Sequence, residues 1–154
     1  MQAKKLFGID LSEEEAHTIK DTFMDKFFGV ATWQMNQVRE ATARGRIRTP
    51  YGKLRKLDKE HCWGAAMNTP VQGGAAECMF IAMVELLKRR GKIPFKLILF
   101  VHDELMLECP EKYAQDSANI LEAAMYSGYE QLFPDGVTTG LVEAKIGKTW
   151  EEVH

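Results

Sequence analysis

The sequence predicts an α+β domain, with helices packed on a small antiparallel sheet, and three observations carry that prediction. Apolar residues recur at helical spacing in several long segments. Two short apolar runs, Leu97 to Val101 and Leu105 to Leu107, flank a polar interruption and read as a β-hairpin. A turn at Thr49 to Gly52 joins two further short strands. At 154 residues the chain is about one domain by length and long enough to bury a core.

The elements follow in order. Ser12 and Glu15 make a capping-box pattern for a helix from about residue 12 to 27, with Ala16, Ile19, Phe23 and Phe27 on one apolar face and Gly29 as its break. A second helix is expected from about Ala31 to Ala43, stopping near Gly45. Thr49, Pro50, Tyr51 and Gly52 read as a turn between two short strands, Arg46 to Thr49 and Lys53 to Leu57. A long helix is expected from about Val71 to Arg90, with Val71, Ala75, Met79, Ala82, Met83 and Leu86 inward and Pro70 near its start. Lys88, Arg89 and Arg90 complement the dipole of its last turn, and Gly91 ends it. After the central hairpin a helix opens at Pro110 and runs to about Phe133. Tyr113, Ile120, Leu121, Ala124, Met125 and Tyr129 form its core face. Residues 141 to 146 read as a last strand, and Trp150 is expected to pack the tail.

A net charge of −2 gives no global basic signature, so nucleic-acid binding would need a local basic surface. Cys62, Cys78 and Cys109 are odd in number and widely spaced, without a C-x-x-C pattern, which points neither to a disulfide framework nor to a zinc site. The first residues hold no apolar signal core, and no stretch reads as long enough to span a membrane. The expectation is a soluble, cytoplasmic protein with no membrane partner.

The chemistry concentrates in FKLILFVHDELMLEC, residues 95 to 109. The run Leu97 to Val101 reads as a buried strand. Unpaired charge is costly to bury, so Asp103 and Glu104 are placed at the hairpin turn with His102 one step before them. There two hard oxygen ligands could face a divalent cation. The ordinary reading of such a pair is a polar turn. A second stretch, NTPVQGGAAE at residues 68 to 77, brings Asn68 and Gln72, which both donate and accept hydrogen bonds. Gly73 and Gly74 leave room there for close approach of another chain or a nucleic acid. Taken singly, Asn68 reads as a cap and Gln72 as a solvated first-turn residue.

Together the two stretches resemble the C-terminal part of family A DNA polymerases, the group that includes bacterial polymerase I and many phage replicative enzymes. That family carries N-x-P-x-Q-G-x-A-A-D/E, then a helix, then x-V-H-D-E, in this order and at this separation. Upstream, FGIDLSEEEAHTIKDTFMDKFFGV resembles the fingers segment that follows the nucleotide-binding helix. GRIRTPYGKLRKL resembles a G-x-V/I-x-T-x-x-G-R-x-R-x-L stretch, and KIGKTWEEVH resembles the family's C-terminus. The resemblance covers essentially the whole chain and implies a palm sheet bearing a carboxylate hairpin. About residues 1–66 would be fingers-derived and about 67–154 palm.

Carried over residue by residue, the resemblance makes Asp103 a ligand of catalytic Mg2+ and places Glu104 beside it as support. It puts His102 on the primer backbone and sets Gln72 and Asn68 against the minor groove of template–primer DNA. Minor-groove acceptors are similar for all correct pairs, so amides there sense pair geometry rather than sequence. Arg44, Arg46, Arg48, Lys53, Arg55 and Lys56 fall in one short segment without an acid. Such a run is ordinarily a solvated hairpin, but beside a palm Arg46, Arg48, Lys53 and Arg55 are expected to track DNA phosphates.

The chain departs from the pattern in places. Lys53 and Gly64 stand where relatives often carry Arg, and Glu77 replaces the commoner Asp. The second metal-ligand motif of the family, of the type D-Y-S-x-I-E-x-R, does not occur, nor does the fingers helix that grips the incoming dNTP. The expectation is thus the C-terminal piece of a polymerase, whether truncated, split or excised. It would contribute half of a two-metal site and act with a complementary N-terminal portion. The alternatives are a non-catalytic DNA- or protein-binding remnant of the same fold and a fragment of a single-subunit RNA polymerase. The latter usually has His-Asp-Ser in this hairpin.

Overall fold

The structure, a computed structural model, describes residues 8, 10–58, 60 and 62–153. Phe7 and Ile9, at the start of the fingers-like segment, and His154 lie outside the described residues. The chain divides into two compact units, Met1–Ile47 with Lys56–Met67, and Arg48–Arg55 with Asn68–His154. The architecture is α+β, with long helices and two small two-stranded sheets.

The first unit begins with α1, Glu13–Lys26. Its capping box is complete: the Glu15 N–H donates to Ser12 Oγ at 3.2 Å and the Ser12 N–H donates to Glu15 Oε2 at 2.8 Å. The Ser12 N–H, together with the Ser12 hydroxyl donating to the same Oε2 at 2.8 Å, holds the Glu15 carboxyl below its ordinary value. The break falls at Phe27, and α2 (Phe28–Arg44) starts at the next residue, with Gly29 inside it. One glycine costs a helix only about 1 kcal/mol, too little to stop it. The expected apolar face of α1 exists, with Phe23 and Phe27 rings 4.8 Å apart, but Ile19, Phe23 and Phe27 are all exposed and α1 buries no residue. Gly45 ends α2 in the left-handed region at φ 63°, where a side chain would be strained. The small core of this unit joins Ala41, Cys62 and Ala66, with Val38 and Leu57 packed against them.

Strands β1 (Arg46–Arg48) and β2 (Leu54–Lys56) form the first hairpin. Its turn is the expected one, closed by the Gly52 N–H donating to the Thr49 carbonyl at 2.9 Å.

Helix α3 spans Trp63–Arg89 and starts well before Val71, so Pro70 lies in its interior rather than at its start. The helix-favouring residues Ala65, Ala66 and Met67 carry it through, at the cost of the one backbone N–H that proline lacks. By length and composition this helix is long and apolar enough to cross a membrane, which the sequence reading did not anticipate. Its Met79, Ala82 and Leu86 are buried in the protein's own core, whereas Val71 and Ala75, expected inward, are exposed.

The core of the second unit lies between α3, the hairpin β3 (Lys96–Val101) and β4 (Glu104–Glu108), and α4 (Ala114–Glu130), which follows a 3-10 turn at Glu111–Tyr113. One cluster joins Met79, Ala82 and Leu105 to Met83, Leu97, Leu121 and Met125, and the next joins Leu86, Phe95 and Ala124 to Ile93, Leu107 and Ile120. Leu86 and Phe95 are fully enclosed. Gly128 of α4 sits against the Cys78 carbonyl and Ala82, an approach that a Cβ would prevent.

Residues 141–146 form no strand. Side chains of α4 take the place of a neighbouring strand: the Ala144 N–H donates to Glu122 Oε1 at 2.9 Å, and the Tyr126 hydroxyl donates to the Val142 carbonyl at 3.4 Å. Trp150 opens a four-residue helix, α5 (Trp150–Val153), and is 46% exposed.

Candidate functional site

The carboxylate hairpin is built on an antiparallel ladder that pairs Lys96 with Glu108, Leu97 with Leu107, Leu99 with Met106, Phe100 with Leu105 and Val101 with Glu104. Ile98 has no opposite residue and forms a β-bulge. The bulge restores the facing of the apolar residues: Leu97 and Phe100, three apart, come to share one side with Leu107 and Leu105. That side meets the helices, and the Phe100 ring lies 6.0 Å from that of Phe80 on α3 in an edge-on contact. The other side carries Leu99, Val101, Glu104 and Met106. Ile98, Leu99, Phe100 and Val101 are each at least 38% exposed, Phe100 even on the helix-facing side, and the expectation of a buried strand is corrected.

The turn itself is His102–Asp103, and Glu104 is the first residue of β4 rather than part of the turn. His102 has φ 53°, a left-handed conformation that His tolerates better than most residues. All three side chains are exposed at the tip of a hairpin anchored by Leu105, which is 8% exposed.

On α3, Asn68, Val71, Gln72 and Ala75 form an exposed stripe at helical spacing. Asn68 is a helical residue here and not a cap. Arg46, Arg48, Lys53 and Arg55 are all exposed on the first hairpin. Two of them also have local partners: Arg48 Nη1 donates to the Gly52 carbonyl at 3.0 Å and Arg55 Nη1 donates to Thr69 Oγ1 at 3.0 Å. Reasoning from sequence missed Thr49, Thr69 and Glu77 as the groups that fix this hairpin. The two threonines are only 8% and 7% exposed, and Glu77 accepts hydrogen bonds from the hairpin turn. The available signal was a lone acid within an otherwise small and apolar helical stretch.

Farther along α3, burial pushes the Cys78 thiol above its ordinary value, and the Lys88 ammonium holds Glu85 below its own. The first unit contains a cavity of about 180 Å³, lined in part by Met24, Met35, Val38 and Trp63, with no predicted site residue in its wall.

Among the described residues no three His, Cys, Asp or Glu side chains cluster as a metal set. Asp103 and Glu104 fit Mg2+ in kind, because that ion is held by one or two carboxylates, with water and substrate phosphate completing its shell.

The family model for DNA polymerase family A matches residues 1–152, and the chain belongs to that family. It is 33% identical over 154 residues to the thermostable DNA polymerase I of Thermus filiformis, covering 94% of this chain and 18% of that protein. It is also 33% identical over 152 residues to the chloroplastic/mitochondrial DNA polymerase I B of Arabidopsis thaliana, covering 91% of this chain and 14% of that protein. Among solved structures, the POL domain of Pol1 from M. smegmatis, in complex with DNA primer-template and dNTP, superposes with a TM-score of 0.74 at 28% identity. That match covers 82% of this chain and 24% of the other. The chain thus spans less than a fifth of the length of these curated relatives.

Proposed function

We propose that this chain contributes the C-terminal fingers-derived and palm portion of a DNA-directed DNA polymerase, working with an N-terminal portion that carries the remaining motifs. The observation that carries the reading is the family match across residues 1–152 combined with an exposed, rigidly laddered hairpin tip bearing His102, Asp103 and Glu104. The similar M. smegmatis domain, solved with primer-template and dNTP, supports the same partners here.

On this reading the residues divide the work. Asp103 and Glu104 hold Mg2+, which when bound supplies charge stabilisation to the phosphoryl oxygens. His102 contacts the primer backbone at the hairpin tip. Asn68 and Gln72, four residues apart on one exposed helical face, donate and accept hydrogen bonds along the minor groove. Arg46, Arg48, Lys53 and Arg55 neutralise phosphates, so affinity should fall as salt rises.

The test is primer extension by the chain mixed with a polymerase fragment carrying the missing palm and fingers motifs. Extension is expected in the mixture and lost with Asp103→Ala. No extension at any ratio, or undiminished extension by the Asp103→Ala chain, rejects the reading. A second reading is a non-catalytic binding module, favoured because no three potential metal ligands cluster among the described residues. It predicts duplex binding by the mixture without extension.

A further inference from the structure

Helix α3 presents two neighbouring faces in the second unit. One is the exposed stripe with Asn68 and Gln72. The other, made of Thr69, Gly73, Gly74 and Glu77, is occupied by the tip of the basic hairpin. Thr49 Oγ1 donates to Glu77 Oε1, and the Tyr51 backbone N–H donates to Glu77 Oε2 at 2.9 Å. Thr49 in turn accepts the Lys53 N–H at 3.0 Å, and its own N–H donates to the Lys53 carbonyl at 2.9 Å. Arg55 Nη1 reaches Thr69 one helical turn before Gly73. A side chain at Gly73 would overlap Thr49, and one at Gly74 would crowd Pro50, so the glycines are what let the turn settle on the helix.

We propose that Glu77 is a positioning residue that clamps this turn and thereby sets the hairpin's cations beside the Gln72 face for contact with DNA phosphates. The inference rests on the template-binding reading above and deepens it. Its chemical basis is the choice of partners. The carboxylate takes a hydroxyl and a backbone N–H rather than a cation, so Arg48 and Lys53 keep their charge for phosphate while their backbone is fixed. An acid beside a basic hairpin would otherwise weaken an anion-binding surface. Seated in this way it organises that surface instead.

The test is fluorescence anisotropy of a labelled primer–template duplex with the full chain across a salt series, together with amide exchange at Tyr51. Glu77→Ala is expected to weaken binding about tenfold at low salt and to flatten the slope of log K against log salt by about two. Lys53→Ala alone should flatten it by about one, and should add nothing once Glu77 is Ala. Thr49→Val, which removes only the hydroxyl, gives an intermediate loss and serves where Glu77→Ala does not fold. The Tyr51 amide exchanges slowly in the unsubstituted chain and fast in Glu77→Ala. Unchanged affinity and slope in Glu77→Ala, full additivity with Lys53→Ala, or a Tyr51 amide that stays slow overturns the clamp while leaving the template-binding reading in place. Failure of the unsubstituted chain to bind the duplex overturns both.

Discussion

The two hairpins carry opposite charge and are held by opposite means. The acidic one has five register pairs, a two-residue turn, and Leu97, Leu105 and Leu107 in the core of its unit. The basic one has strands of three residues, with Ile47 its one buried strand residue, and its turn is fixed by side chains reaching to α3. The difference suits what each is proposed to do. Metal ligation demands oxygen atoms in fixed places, which a laddered, core-backed turn supplies. Phosphate tracking is a matter of net charge near a polyanion and tolerates a looser mount.

The largest test of this contrast is truncation in each hairpin. Leu105→Ala should cost about 2–5 kcal/mol in urea unfolding. Leu54→Ala, at a position 46% exposed, should stay within about 0.5 kcal/mol. Equal costs would show that the basic hairpin is also core-anchored. Next comes Gly73→Ala, whose Cβ must push Thr49 aside. A loss of about 1–3 kcal/mol is expected, with faster amide exchange confined to residues 49–53. A smaller effect is expected for His102→Gly, which relieves the left-handed backbone at the acidic turn. Thermal melting should show stabilisation of up to about 1 kcal/mol, while duplex affinity falls if His102 meets the primer.

The smallest effect lies in neither hairpin. The Glu15 carboxyl is held low by Ser12, so the α1 cap contributes above the ordinary carboxylate pKa and is lost as pH falls through the lowered value. Far-ultraviolet circular dichroism of Glu15→Gln should lack that acid-side loss of helix.

Much of this was legible in the residues themselves. Ser12 with Glu15, Gly45 and Gly91 marked helix ends because caps are local chemistry. The turn at Thr49–Gly52 was equally local, whereas the acidic turn was placed one residue late, at Asp103–Glu104 instead of His102–Asp103. What failed was whatever depends on distant neighbours. Pro70 looked like a helix start because its missing N–H is harmless there, yet α3 begins at Trp63, with the helix-favouring Ala65, Ala66 and Met67 ahead of the proline. Residues 141–146 have a strand's composition but pair with Glu122 and Tyr126 instead. Burial of β3 was inferred from apolarity alone, whereas burial needs a covering layer on each face. Among the site residues, the contiguous groups were readable. The link from Glu77 to Thr49 and Tyr51 was not, because it joins positions 28 and 26 residues apart.

The bulge at Ile98 also makes β3 unequal in its tolerance of lost codons. Deleting Ile98 would leave every observed pairing intact and merely straighten the ladder. Deleting Phe100 would draw Val101 into its place opposite Leu105 and pull His102 toward Glu104, dissolving the turn on which the carboxylates stand. A scan of single-codon deletions along this strand should therefore show a permissive site only two positions away from a lethal one.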